Sequence, residues 1–132
     1  MSNAAELLAI EDRFKNQWAA ATPIAYENVA FVPPSNAAWV RLSVLQASSQ
    51  QQTLGASNAL HRTVGVIIVS IFTPKNAGGK AAATLADNAA AIFRNKQFSG
   101  ITCRSPYKQT LGQSGDYHQV NVSVDYYRDD IY

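Results

Sequence analysis

Two segments of the chain carry the spacing of an amphipathic helix, with apolar residues every three or four positions. The first apolar stripe consists of Leu7, Ile10, Phe14 and Trp18. We expect Asn3 to cap this helix, with Glu6 as its capping-box partner, and Pro23 to end the pattern. The second helix is expected from about Lys80 to Arg94, and its stripe consists of Ala82, Leu85, Ala86, Ala89, Ile92 and Phe93.

Other segments alternate with a period of two, which is typical of strands with one covered face. Residues 38–46 place Ala38, Val40, Leu42 and Val44 on one side, and Trp39, Arg41 and Ser43 on the other. In residues 116–127 the inward set is Val120, Val122, Val124 and Tyr126. The outward set of that segment is Tyr117, Gln119, Asn121, Ser123, Asp125 and Tyr127.

A long strand is expected over residues 60–72. Its middle, residues 64–69, is apolar on both faces, which indicates a central strand covered on both sides. Gly65 within it indicates a bulge or a close contact. Shorter extended segments are expected at residues 24–31 and 101–107, the second with Ile101 and Cys103 on one face. Turns are expected at residues 33–36 and 112–115.

Residues 47–58 are rich in Ser and Gln and carry no charge, so they are predicted to form a long hairpin arm that is mobile in the free subunit. The order of elements is then helix, strands, helix, strands. Short hairpin-like connections favour a mainly antiparallel sheet flanked by the two helices. The sequence therefore predicts an α+β fold in which residues 1–132 form a single domain.

The composition limits the kinds of partner. Charged residues make up 15% of the 132-residue chain, below the usual share of about 25%, so much of the surface must be uncharged. The net charge of +2 gives no strongly basic field for nucleic acid. Cys103 is the single cysteine and cannot form an internal disulfide. The apolar runs are too short to span a membrane, and no secretion signal is evident, so a cytoplasmic protein is expected.

A search for chemistry predicts no catalytic residue, no cofactor and no metal site. His61 and His118 are the only histidines, and their spacing matches no zinc motif. Cys103 is predicted to be buried and inert. Asp129 and Asp130 are interpreted as a solvated C-terminal tail. Residues 76–80 resemble a phosphate loop only weakly, and a turn that leads into a helix explains them without phosphate.

The outward face of residues 117–127 is unusual for a solvated strand because it lacks Lys and Glu. Either it is an interface, since interfaces favour Tyr and avoid Lys and Glu, or another helix covers it. Strand arginines, including Arg104, are either solvated, lining a lumen or pairing across subunits. The interface candidates are Trp39, Arg41, Arg62, Tyr117, Gln119, Asn121, Ser123 and Arg128.

Several segments together resemble the lambda-type tail-terminator family of bacteriophages and prophages. They are residues 24–34, 39–42, 65–74, 81–94 and 117–124, and the resemblance extends from about Phe14 to Arg128. It implies an α+β fold and a hexameric ring that caps the head-proximal end of the tail tube. It also implies that the ring stops tube growth and offers a surface to the head.

The partners implied by this resemblance are further copies of the chain, the tail tube protein and a head or neck connector protein, with DNA only passing through the lumen. The implied location is the host cytoplasm during assembly and then the virion tail. Two other classes stay open. One is another connector, neck or minor tail component. The other is a small ligand-binding domain or enzyme, against which the missing acid–base groups argue.

Overall fold

A computed structural model describes residues 2–18, 22–34, 36–51, 59–76 and 79–131 of the protein. Its fold is α+β, and a mostly antiparallel seven-stranded sheet carries both described helices, as the sequence predicts. The strands follow the order β1-β2-β3-β7-β5-β4, and β6 pairs with β7. The elements are α1 (Asn3–Trp18), β1 (Ile24–Tyr26), β2 (Trp39–Gln51), β3 (Leu60–Pro74), α2 (Gly79–Phe93), β4 (Gln97–Phe98), β5 (Ile101–Cys103), β6 (Tyr107–Ser114) and β7 (Tyr117–Ile131).

Helix α1 begins one residue earlier than the predicted cap implies. The Ser2 hydroxyl accepts a hydrogen bond from the Ala5 amide at 3.1 Å, so Ser2 is the N-cap and the prediction for Asn3 was wrong. Glu6 is not a capping residue either, because its side chain is fully buried. It lies four residues before Ile10 and therefore shares the helical face that enters the core.

The core lies on one face of the sheet, under both helices. From α1 it contains Ile10, Phe14 and Trp18, and the predicted stripe of α2 is confirmed, with Leu85 half-buried. The buried alanines of α2 have short side chains and let the helix lie close to the sheet. Arg13 joins the two helices, because its Nε and Nη2 donate to the Ile92 carbonyl at 3.0 and 2.9 Å. That carbonyl lies in the last turn of α2, where cations are favoured.

Strand β3 lies at the centre of the sheet, between β2 and β7. Gly65 faces the helices, and a Cβ there would collide with the Tyr126 ring and lie 2.7 Å from the Leu45 carbonyl. The register with β2 shifts opposite this point, between Gln46 and Ser48. The predicted close contact at Gly65 is thus confirmed, and a bulge in the neighbouring strand accompanies it.

The strand predicted at residues 24–31 is shorter than expected. β1 contains only residues 24–26 and runs parallel to β2. The Glu27 carboxylate accepts the Val44 amide at 2.6 Å, which replaces the next rung of the ladder. Asn28 then adopts a left-handed conformation with φ of 57°, which turns the chain away from the sheet.

The strand predicted at residues 101–107 was wrong as one element. β5 ends at Cys103 and β6 begins at Tyr107, and both pair with β7, which is 15 residues long. Pro106 lies in the break and has no amide hydrogen to continue a ladder. β6 itself was missed and extends to Ser114, within the predicted turn.

The Ser- and Gln-rich segment is partly strand. Residues up to Gln51 continue β2 and pair with β3, for example Gln50 with Arg62, so the hairpin is seen to that point. Residues 52–58 lie outside the described part of the chain. The mobility predicted for the arm therefore stays a prediction.

Candidate interaction surface

The sheet face opposite the two helices is the main candidate surface, and we call it the open face. In the described part of the chain no helix covers it, so the alternative of a covering helix was wrong. The expectation that residues 64–69 are covered on both sides was also wrong. Val64 is 37% exposed, and Val66 and Ile68 are half-buried. The apolar pattern of β3 is therefore only half satisfied within the subunit.

One end of the open face is covered by residues 27–34, which we call the strap. Phe31 of the strap packs on Trp39 with ring centroids 5.1 Å apart, and Trp39 stacks on Phe72 at 4.1 Å. Tyr117 meets Trp39 edge-on at 6.0 Å, and its hydroxyl donates to the Pro34 carbonyl. Trp39 thus lies on the predicted face but is only 4% exposed, so its ring is not available to a partner in this conformation.

The middle of the open face is polar and uncharged, as the alternation predicts. Gln119, Asn121 and Ser123 are half-buried, and Gln119 Nε2 donates to Asn121 Oδ1 at 3.1 Å. Asn121 and Ser123 pair across to Ser70 and Ile68 of β3. Outward side chains of β2, β3 and β7 are therefore continuous across the sheet.

Beyond this polar row the outward side chains of β2 and β3 are apolar, whereas Asp125 of β7 is exposed beside Val66. Leu45 is 59% exposed and pairs with Val66 across the sheet. With Val64 and Ile68 these side chains form a continuous patch, which we call the apolar strip. Isolated exposed apolar residues are ordinary, but a contiguous group on a sheet face is typical of a contact surface.

Three arginines border the open face. Arg41 lies over the rings of Trp39 and Phe72 at 5.5 and 5.6 Å, and Arg104 lies over Tyr127 at 5.1 Å. In the described residues no carboxylate lies within 4.0 Å of either guanidinium. Aromatic rings thus hold both cations in place, and neither has an acidic partner in the part of the chain that the structure describes.

The third arginine, Arg62, lies over the same Tyr127 ring at 4.2 Å and binds Asp129 through two hydrogen bonds of 2.8 and 2.9 Å. The hydrogen bonds from Arg62 lower the pKa of Asp129. The prediction of a tail was wrong, because Asp129 and Asp130 lie in β7, which continues to Ile131, but Asp129 is exposed as predicted. Asp130 binds Arg128.

Arg128 is a further correction. It was grouped with surface candidates, but it is 3% exposed on the helix-covered face. Its Nε donates to Glu6 at 2.6 Å and its Nη2 to Asn3 at 2.7 Å, while the Tyr126 hydroxyl donates to Glu6 at 3.0 Å. Gln46 also donates to Glu6. The signal was present in the sequence, because Arg128 follows Tyr126 by two positions and so must share its inward face.

The two side chains considered for reactivity, Cys103 and His118, lie in or beside the helix-covered core. Cys103 is 3% exposed, and burial, only partly opposed by Arg13, raises its pKa to about 11. The predicted burial of this thiol is confirmed, and its raised pKa disfavours the reactive thiolate. His118 is half-buried at the edge of the helix-covered face. Among the described residues, no three His, Cys, Asp or Glu side chains are grouped so that they could hold a metal ion.

Comparisons with known proteins give one family and one similar fold. A family described as phage tail terminator protein matches residues 7–126. One similar solved structure has a TM-score of 0.72 and 25% sequence identity, and the match covers 100% of this chain and 98% of that one. No curated protein matches significantly. Across the described ranges, no helix is both long enough and apolar enough to cross a membrane.

Proposed function

The chain belongs to the phage tail terminator family, and we propose that it forms a ring, of six copies, at the head-proximal end of the tail tube. The family is structural rather than enzymatic, so the protein has a structural role in a phage tail. We further propose that the ring stops polymerisation of the tube and joins tail to head. Its partners would then be further copies of itself, the tail tube protein and a head or neck connector protein, with DNA passing through the lumen.

The open face is the observation that supports assembly. It carries five of the eight interface candidates. Arg41, Gln119, Asn121 and Ser123 lie close together, and Arg62 lies farther along β3, beyond the apolar strip. Tyr117 supports the strap at the other end. Trp39 contributes by holding Arg41 in place, and Arg128 is withdrawn because it is buried. A face with an uncharged middle row and ring-stacked arginines at its border has the composition of an interface.

The expected strength of assembly is modest. Burying one exposed Val or Leu side chain contributes about 1.5–3 kcal/mol, whereas association costs about 4–15 kcal/mol in lost freedom of motion. Ordering the arm would cost roughly 1–2 kcal/mol more for each backbone residue fixed. We therefore propose a subunit that is mostly monomeric when dilute and closes into a ring at high concentration or on the end of a tube.

The test places charge on the open face. Asn121→Lys and Ser123→Glu should fold normally, because both side chains lie on the open face, outside the helix-covered core. Both should prevent capping, because an unpaired charge in an interface is costly to desolvate. Ala83→Lys and Ala83→Glu, at an exposed position of α2, are the matched controls.

The measurement is cosedimentation of each folded variant with purified tail tubes, together with tube length. Capping by the controls and not by the open-face variants supports the proposal. If folded Asn121→Lys and Ser123→Glu still bind tube ends and limit tube length, the open face is not the interface.

A further inference from the structure

We propose that the strap of one copy docks on the apolar strip of the next copy, which makes the contact head-to-tail. This inference rests on the proposed function and names the two surfaces that meet. Unlike surfaces that meet head to tail generate a ring when the rotation between copies closes, whereas a contact between two identical patches stops at a dimer.

The strap has an anchored side and an exposed apolar side. Phe31 and the Pro34 carbonyl are held by Trp39 and Tyr117. Val32 is 88% exposed and Val29 is 61% exposed. Pro33 and Pro34 stiffen the segment, so little order is lost when it binds. The strap is therefore a fixed ridge that presents two valines to the outside.

The apolar strip is a suitable binding surface for the strap because it is apolar and rigid. Its side chains lie on paired strands rather than on a loop, because β3 is hydrogen-bonded to β2 on one side and to β7 on the other. They are Leu45, Val64, Val66 and Ile68. A subunit cannot easily cover its own strip with its own strap. The strap is pinned over Phe72, and Val66 lies about 20 Å away along β3 at about 3.3 Å per residue. A second copy is the occupant that supplies the missing valines.

Charge supports the same pairing. Glu11, Asp12 and Glu27 line one depression beside Val29, together with Lys15 and Tyr26. Burial, and then the nearby Glu27 and Asp12, raise the pKa of Glu11, which shows that negative charge is crowded there. Arginines outnumber carboxylates on the open face, where Arg41, Arg62 and Arg104 stand against Asp125, beside Val66, and Asp129, which binds Arg62. An acidic strap flank against an arginine-bordered strip relieves both.

Two variants separate the surfaces. Val32→Glu disables the strap and leaves the strip intact, and Val64→Glu does the reverse. Both positions are exposed, so folding should be retained. Leu8→Glu is the matched control, because Leu8 is 58% exposed on α1 and belongs to neither surface. A glutamate in the contact should raise the concentration for half-assembly by roughly tenfold or more, since desolvating an unpaired charge is unfavourable.

Analytical ultracentrifugation then gives a result specific to head-to-tail contact. At a concentration where the parent forms rings, Leu8→Glu should form them too. Val32→Glu alone and Val64→Glu alone should stay monomeric. An equimolar mixture of these two variants should form one-to-one dimers and nothing larger. Only one intact strap and one intact strip remain in such a pair. Assembly of either variant at the parent's concentration, or a mixture that stays monomeric, would overturn the inference.

Disulfide crosslinking covers the case in which a glutamate variant fails to fold. Val32→Cys/Val64→Cys should give a ladder of covalent multimers on mild oxidation, and each single variant should give at most dimers. The buried Cys103 thiol should not interfere. A double variant that forms no ladder refutes the contact. A parent that never assembles, even on tubes, refutes the proposed ring itself, whereas a parent that assembles beside unaffected variants refutes only the strap–strip contact.

Discussion

Removing the Glu6 carboxylate is the sharpest test of how the subunit is held together. Glu6 is fully buried and accepts hydrogen bonds from Arg128 at 2.6 Å and from the Tyr126 hydroxyl at 3.0 Å. Glu6→Ala removes one partner of the buried Arg128 guanidinium, while Asp130 and Asn3 remain bound to it. The interaction fastens the N-terminal turn of α1 to the far end of β7.

The size of the loss follows from this geometry. Breaking a buried ion pair by removing one partner costs about 3–5 kcal/mol, and the retained Asp130 places the expectation near the lower limit, about 3 kcal/mol. For a chain of 132 residues, with about 2.1 cal/mol/K per residue, that corresponds to a Tm decrease of roughly 11 °C.

Urea denaturation and thermal unfolding followed by circular dichroism would measure this difference. Asp12→Ala, an exposed carboxylate on the same helix, should change stability by less than about 0.5 kcal/mol. The double variant Glu6→Ala/Arg128→Met should lose less than the sum of the single losses, because the two groups interact directly. A Glu6→Ala protein within about 1 kcal/mol of the parent would refute the view that this pair fastens α1.

Three further predictions concern other features of the subunit. Gly65→Ala should destabilise by about 1–3 kcal/mol in urea denaturation, because the added Cβ meets the Tyr126 ring and a Leu45 backbone oxygen; unchanged stability would contradict that close approach. Cys103→Ser should fold, assemble and cap tubes with a loss of about 1–3 kcal/mol from a buried hydroxyl, and a folded variant with no capping would indicate thiol chemistry. Backbone amide relaxation should show residues 52–58 more mobile than residues 66–69 in the free subunit and ordered in the assembly, and equal order parameters in the free subunit would refute the mobile arm.

The periodic parts of the fold could be predicted from the sequence. Alternation in β7 places Val120, Val122 and Val124 inward because a strand's side chains must alternate, and the structure confirms this. The same rule also places Arg128 inward, yet its charge suggested the surface. The burial of Glu6 follows in the same way from its spacing to Ile10. In both cases the spacing along the element predicts burial correctly although the residue is charged, because each charge is paired with a residue from a distant segment.

Other features depend on contacts that no local pattern contains. The parallel pairing of β1 with β2 requires the connection between residues 26 and 39 to carry the chain back to the end where β1 began, and no pattern in those residues identifies β2 as the partner strand. The apolar residues of β3 showed that both faces require cover. They could not show that the helices cover only one of the two faces, because apolar side chains are favoured both under a helix and under another protein chain.

The proposed termination of the tail tube is tested by measuring, with electron microscopy, the length of tubes polymerised with and without this protein. With the protein, tubes should stop growing and carry a ring of it at one end, the end that then accepts heads. Tubes that grow to the same lengths in both samples, with no ring at either end, would contradict it.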